Sequence, residues 1–121
     1  MQTQALPPVL PHKRYQAFKL AVELACQINE AKVGGGQGAL RDQVRRAANS
    51  VALNIAEGAG RAGNDRLAFF RIARASACET SAAIELLEAF GALSPQVASE
   101  TQHLCDRLYA LLTKMAELDR P

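Results

Sequence analysis

The sequence predicts an all-α protein, an antiparallel up-down-up-down four-helix bundle in a single domain. Three observations predict it. Apolar residues recur at three- and four-residue spacing in four separate segments. Each segment is parted from the next by glycine or proline. Apolar residues make up 49% of the chain and aromatics only 5%, so the core must come from close packing of aliphatic and small side chains, which suits helix on helix. With 121 residues the chain can form one domain that buries roughly two-thirds of its unfolded surface.

Residues 1–12 contain Pro7, Pro8 and Pro11, which fix φ and remove donors, so this stretch is expected to be a disordered tail before a domain spanning 13–121. The first helix is expected over about 14–32. Its stripe is Tyr15, Phe18, Val22, Ala25 and Asn29, widened by Ala17, Leu20, Ala21, Leu24 and Ile28. Gly34, Gly35, Gly36 and Gly38 follow. A phosphate cradle would follow a strand and run into Gly-Lys-Ser or Gly-Lys-Thr, whereas this stretch follows a helix and runs into Ala39 and Leu40. A flexible interhelical loop with a glycine cap is the expectation.

The second helix, about 39–57, has Leu40, Val44, Ala47, Val51 and Ile55 as its stripe. Arg41 and Arg45 lie one turn apart beside it, with Arg46 further round. Glu57 falls in the last turn, where a carboxylate opposes the helix dipole unless Arg61 or the N–H groups opening the next helix compensate. Gly58 and Gly60 are expected to stop the helix by adopting positive φ.

Asn64 is expected to cap the third helix, about 65–90, with Asp65 in its first turn. This helix carries two apolar seams. Phe70, Ala73, Ala77, Thr80, Ile84 and Leu87 form one; Phe69, Ile72, Ser76, Ala83, Leu86 and Phe90 form the other. A helix apolar on two sides is central in its domain or shared with a neighbouring subunit, and since a bundle helix needs one seam, self-association is expected. Gly91 ends this helix, and Ser94 with Pro95 opens the fourth, about 95–119. Its seam is Val97, Thr101, Leu104, Leu108, Leu111, Met115 and Leu118.

The net charge of +2 does not argue for a polyanion, but the halves differ. Residues 1–78 hold eleven Lys or Arg against five Asp or Glu, and residues 79–121 hold three against seven. These charges either solvate separate helix faces or give the first half a basic face. Cys26, Cys78 and Cys105 lie too far apart for a zinc or redox motif and read as small hydrophobes. Glu100 and His103 make a Glu-x-x-His pair, half of a bundle di-iron site, but the other half has no histidine beyond His12. No metal and no cofactor are therefore expected, nor is an enzyme, since two histidines support no catalytic set. No apolar run reaches the ~20 residues of a membrane span, and the N-terminus lacks a signal peptide's apolar centre, so the expected location is the cytoplasm.

Two segments resemble a known family. Gln43-Val44-Arg45-Arg46-Ala47-Ala48-Asn49-Ser50-Val51-Ala52-Leu53-Asn54-Ile55-Ala56-Glu57-Gly58, continuing to Gly60 and Arg61, is similar to the second-helix signature of the small bundle proteins first noticed as products of intervening sequences in bacterial 23S ribosomal RNA genes. Phe69-Phe70-Arg71-Ile72-Ala73-Arg74-Ala75-Ser76-Ala77-Cys78-Glu79 resembles its third-helix pattern, with Ser76 and Glu79 at the matching positions. The resemblance covers about residues 15–93 well and the fourth helix by pattern alone. Leu53 stands where a proline is frequent, Ala75 where a glycine is, and Phe18 where a tryptophan is. These departures touch local packing: a straighter second helix and a wider third-helix contact.

The resemblance implies a homopentameric ring, similar to the nucleic-acid-binding accessory protein of diversity-generating retroelements. Two functions follow. One is a non-catalytic oligomer binding RNA or another nucleic acid through Arg41, Arg45, Arg46, Arg61, Arg66, Arg71 and Arg74, by phosphate contacts that tolerate sequence. The other is an assembly scaffold whose arginines pair with Glu79, Glu85 and Glu88 of a neighbour. Asn54 and Glu57 are expected to hold the corner between the second and third helices.

Overall fold

A computed structural model describes residues 8–117. Four helices follow one another: α1 Gln16–Glu30, α2 Gly38–Ala59, α3 Gly63–Ala89 and α4 Pro95–Glu117. α2 packs on α3, α3 on α4, and α1 closes the bundle against both α2 and α4. Short links force each helix to run back along its predecessor, the up-down arrangement that the periodicity implied. Of the expected tail, residues 1–7 lie outside the described residues, as does Leu118 at the end of the α4 seam. Pro11–Arg14 forms a 3-10 turn whose His12 ring packs edge-on against Phe18, with centroids 4.6 Å apart. Helical backbone therefore begins at Pro11, because the proline sits in the first turn, where its missing N–H costs nothing.

The core runs the length of the bundle through Leu24, Val44, Val51, Ile55, Phe70, Ile84, Leu87, Leu108 and Leu112. The buried face of α1 is Ala17, Leu20, Ala21, Leu24 and Ile28; Tyr15, Phe18 and Ala25 sit at its edge, and Val22 and Asn29 are exposed. The stripe expected to lead is thus the flank. Both sets keep helical spacing, and the one without a polar end wins the centre. Thr80 and Thr101 are buried in this apolar setting because each hydroxyl donates to its own helix, at Ser76 O and Val97 O, both 2.7 Å away.

Three helix ends differ from expectation. α1 ends at Ala31 in extended backbone with no glycine cap; its N–H donates to Ile28 O. The glycines are used later in the loop, where Gly34 donates to Ala92 O at 2.8 Å and ties the α1–α2 link to the α3–α4 link. α2 continues through Gly58 to Ala59, and neither Gly58 nor Gly60 has positive φ, Gly60 lying at −82°. The left-handed residue in this turn is Gly63, at 59°, and α3 starts there. Consequently Asn64 lies inside the first turn, exposed, and Ala62 holds the cap position without a side-chain bond.

Two further ends are as read. Gly91, at φ 70°, closes α3 in a Schellman motif: its N–H donates to Glu88 O and that of Ala92 to Leu87 O, each at 2.9 Å. Ser94 Oγ accepts from Val97 N–H at 3.2 Å, capping α4 ahead of Pro95.

Candidate functional site

The α2–α3 contact is built around a missing side chain. Gly58 is buried in the last turn of α2, and a Cβ there would lie 2.9 Å from the Phe70 ring and 3.0 Å from Phe69 Cβ. Glycine is required for close approach and not for a special φ. One face of this contact carries a chain of polar groups: Ser50 Oγ and Ser76 Oγ are 2.8 Å apart, and Asn54 Nδ2 donates to both Ser50 O and Ser50 Oγ at 2.9 Å. All three side chains are half-buried. Asn54 thus orients Ser50, and Ser50 reaches α3.

Beyond Gly58 the charged corner closes on Arg61. Its Nη2 donates to Glu57 Oε1 at 2.9 Å, Nη1 stands 3.9 Å from Asp65, and the guanidinium lies over the Phe69 ring, 4.7 Å from its centroid. The bond to Glu57 holds the guanidinium above its ordinary pKa, with smaller contributions of the same sign from the charges of Glu57 and Asp65. Arg66 Nε donates to Arg61 O at 2.8 Å. Of the two compensators open to Glu57, Arg61 is the one it uses.

The seven arginines do not gather on one side. Arg45 lies toward α1, where its Nη2 donates to Asn29 O at 3.0 Å, and Arg41, one turn earlier on α2, has its Nε 3.5 Å from Asp42. Arg74 lies toward α4, its Nη1 3.5 Å from Thr113 Oγ1. Arg61 and Arg66 belong to the far corner. Arg46 and Arg71 are exposed and make no ion pair among the described residues. Glu79 is likewise exposed, beside Ser76 on the outward side of α3.

That outward side is the larger finding. The first seam of α3 is wholly buried, whereas in the second Ile72 and Leu86 are each 47% exposed and Phe90 is 56% exposed. Leu53 of α2, 68% exposed, stands close by: Ser50 is level with Ser76, so Leu53 is level with residue 73. Ala75 is exposed on the same side, so the wider contact expected from alanine in place of glycine does not arise inside the bundle.

Two clefts border α4. One, of about 340 Å³, lies between α3 and α4 and is lined by Ala77, Cys78, Ser81, Ala82, Glu85, Cys105, Asp106 and Tyr109. Cys105 is buried there, and burial, reinforced by the charges of Asp106 and Cys78, pushes its thiol up to about 12; Cys26 and Cys78 are exposed. The other cleft, between α1 and α4, brings Glu100 and His103 beside Glu23 and Arg107. Among the described residues no three His, Cys, Asp or Glu side chains are placed to hold a metal ion, and no helix is long and apolar enough to cross a membrane.

The model of the 23S rRNA-intervening sequence protein family matches residues 13–114. The chain belongs to this family. The match takes in α1, α2, α3 and most of α4, which the motifs by themselves left to pattern. No curated protein matches the chain. The family's second-helix string maps onto the corner just described, with Asn54, Glu57 and Gly58 in three distinct tasks: orienting Ser50, holding Arg61 and admitting Phe70. Two contributions were missed from sequence: Ser50 as the bridging hydroxyl, signalled by its place one turn before Asn54, and the Ser81–Gln102 pair, whose Oγ-to-Oε1 bond of 2.6 Å links α3 to α4 with no sequence signal.

Proposed function

We propose that this protein works by assembly: a non-catalytic homo-oligomer whose subunits meet on the outward side of α3. The observation that carries the reading is the exposed group Leu53, Ile72, Leu86 and Phe90, four of the exposed large apolar side chains gathered on α3 and the neighbouring part of α2. Covering a fully exposed side chain of this size yields roughly 1.5–3 kcal/mol, so leaving four half-covered favours a partner surface. The family resemblance supports a closed ring of five. Native mass measurement tests it: the wild type should be oligomeric, and Ile72→Asp with Leu86→Asp should give folded monomers. A wild type that stays monomeric at high concentration overturns the reading.

A second reading, binding of RNA or another nucleic acid, is favoured by Arg71. It is exposed, without an ion pair among the described residues, on the same outward side of α3, so assembly would repeat its charge in each copy. RNA retention should then fall steeply with salt and be lost in Arg71→Glu. Retention indifferent to both removes this reading and leaves assembly intact.

A further inference from the structure

We infer that Cys78 and Cys105, level with one another across the α3–α4 cleft, form a redox-modification site: a small-molecule disulfide enters at Cys78, and Cys105 displaces it to leave a disulfide that ties α3 to α4. The site does not depend on how subunits meet. The register between the two helices places the pair. Ser81 Oγ donates to Gln102 Oε1 at 2.6 Å and Gln102 Nε2 donates to Ser81 O at 2.9 Å, so residues 81 and 102 are level. The helices run antiparallel, and Cys78 and Cys105 each lie three residues from that pair in the same direction along the bundle, so the two thiols are level as well. Both line one cleft of about 340 Å³. Burial first, and then the charges of Asp106 and Cys78, raise the Cys105 thiol, so the two sulfurs are near enough for the charge of one to act on the other.

The two thiols differ in the way such a site needs. Cys78 is exposed, at the mouth of the cleft; Cys105 is 3% exposed, at its floor. A thiolate and not a thiol attacks a disulfide, so the cysteine that water reaches reacts first and the buried, neutral one follows. Their neighbours are small. Ala77, Ser81 and Ala82 leave the sulfurs room to turn, and a cysteine needs one rotation about its Cα–Cβ bond to change direction. The cleft volume is at the small end of the range for ligand sites, which suits a low-molecular-weight disulfide and excludes a folded partner's. Among the described residues no third His, Cys, Asp or Glu side chain is placed to complete a metal site with the pair, so its chemistry is sulfur on sulfur.

The Cys78 thiolate attacks one sulfur of the incoming disulfide; that S–S bond breaks, a mixed disulfide forms on Cys78, and the expelled thiolate takes a proton from water. Cys105 then attacks Cys78 Sγ, passing its own proton to water, and expels the second small thiolate, which is protonated in turn. Two cysteine thiols are oxidised and one small disulfide is reduced to two thiols, so electrons and protons balance. The product closes residues 78–105 into a covalent loop and fixes α4 on α3. Excess thiol runs the same exchange backwards and reopens it.

Cys26→Ala removes the remaining thiol and provides the chain for the test. Incubated with oxidised glutathione, this chain should lose the mass of two hydrogens and, after proteolysis without reductant, yield peptides joined through Cys78 and Cys105. Dithiothreitol should reverse both results. The joined form should melt roughly 5–15 °C higher than the reduced form. Adding Cys105→Ala should stop the reaction at a stable glutathione adduct on Cys78, and adding Cys78→Ala should leave Cys105 unmodified; circular dichroism checks that both variants fold. The same incubation is run with Ile72→Asp and Leu86→Asp added to the Cys26→Ala chain, so that a subunit contact cannot hide Cys78. A stable adduct on Cys78 with Cys105 still reduced, a bond between Cys78 residues of two chains, or no reaction in either background overturns the inference, and the assembly reading survives each of these results.

Discussion

The hydroxyl oxygens of Ser50 and Ser76 lie 2.8 Å apart across the α2–α3 contact, and Asn54 donates to the Ser50 hydroxyl from one turn further along α2. The three side chains form a polar link beside a contact otherwise made by Gly58, Phe69 and Phe70. Such a link matters for register, because an apolar interface tolerates sliding and a hydrogen bond does not. Ser50→Ala and Ser76→Ala should each cost about 0.5–1.5 kcal/mol in urea unfolding, with the double variant costing less than their sum by about 1 kcal/mol. Additive effects would mean that the bond contributes nothing in solution. Asn54→Ala, losing both of its bonds, should destabilise by a similar amount.

Gly58→Ala opposes two terms. Alanine improves helix propensity by about 1 kcal/mol, and overpacking a buried contact costs about 1–3 kcal/mol. The Cβ would stand 2.9 Å from the ring of Phe70, which is only 2% exposed and has nowhere to move. The net should be a loss of up to about 2 kcal/mol with the urea m-value unchanged. A stabilised variant would place Phe70 differently.

Ser94 and Asn64 look alike in sequence as caps and differ in structure. Ser94→Ala removes a real cap of α4 and should cost about 1 kcal/mol. Asn64→Ala removes no cap bond and should stay within about 0.5 kcal/mol of wild type. Thermal unfolding of the two variants side by side makes the comparison.

Cys105 should leave a signature at alkaline pH. Its thiol is held neutral up to about pH 12 in the folded state, while in the unfolded chain it ionises near its ordinary value. The unfolded state therefore sheds a proton first as pH rises, and stability present below about pH 9 is lost progressively toward pH 12. Cys105→Ala should flatten this decline relative to wild type. In native protein a thiol reagent should label Cys26 quickly and Cys105 only after unfolding.

Features that depend on neighbours in sequence were legible without coordinates. The Ser94-Pro95 opening of α4, the Gly91 stop of α3 and the buried seam from Thr101 through Leu108 are each set by local backbone chemistry and helical period. The second apolar seam of α3 was legible too, since it needs only the period of that one helix, whereas the exposure of its Ile72, Leu86 and Phe90 was not. The corner was half legible. Arg61 answering Glu57 follows from an i, i+4 spacing, but the task of Gly58 does not, because it depends on where Phe70 of another helix arrives.

Of the candidate sites, the arginines illustrate the limit best. Spacing places Arg45 and Arg74 at known angles on their own helices, yet whether those angles point to one side or two depends on which neighbour each helix faces. Arg45 reaches Asn29 of α1, Arg74 reaches Thr113 of α4 and Arg61 stays at the α2–α3 corner, so a basic half of the chain does not become one basic face on the fold. The sequence by itself determined four helices, their order and most of their buried stripes, since period and caps are properties of a single helix. The tertiary structure alone decided which stripe of α1 is central, why residue 58 has no side chain, and where each charge stands, since those depend on the position of a second helix.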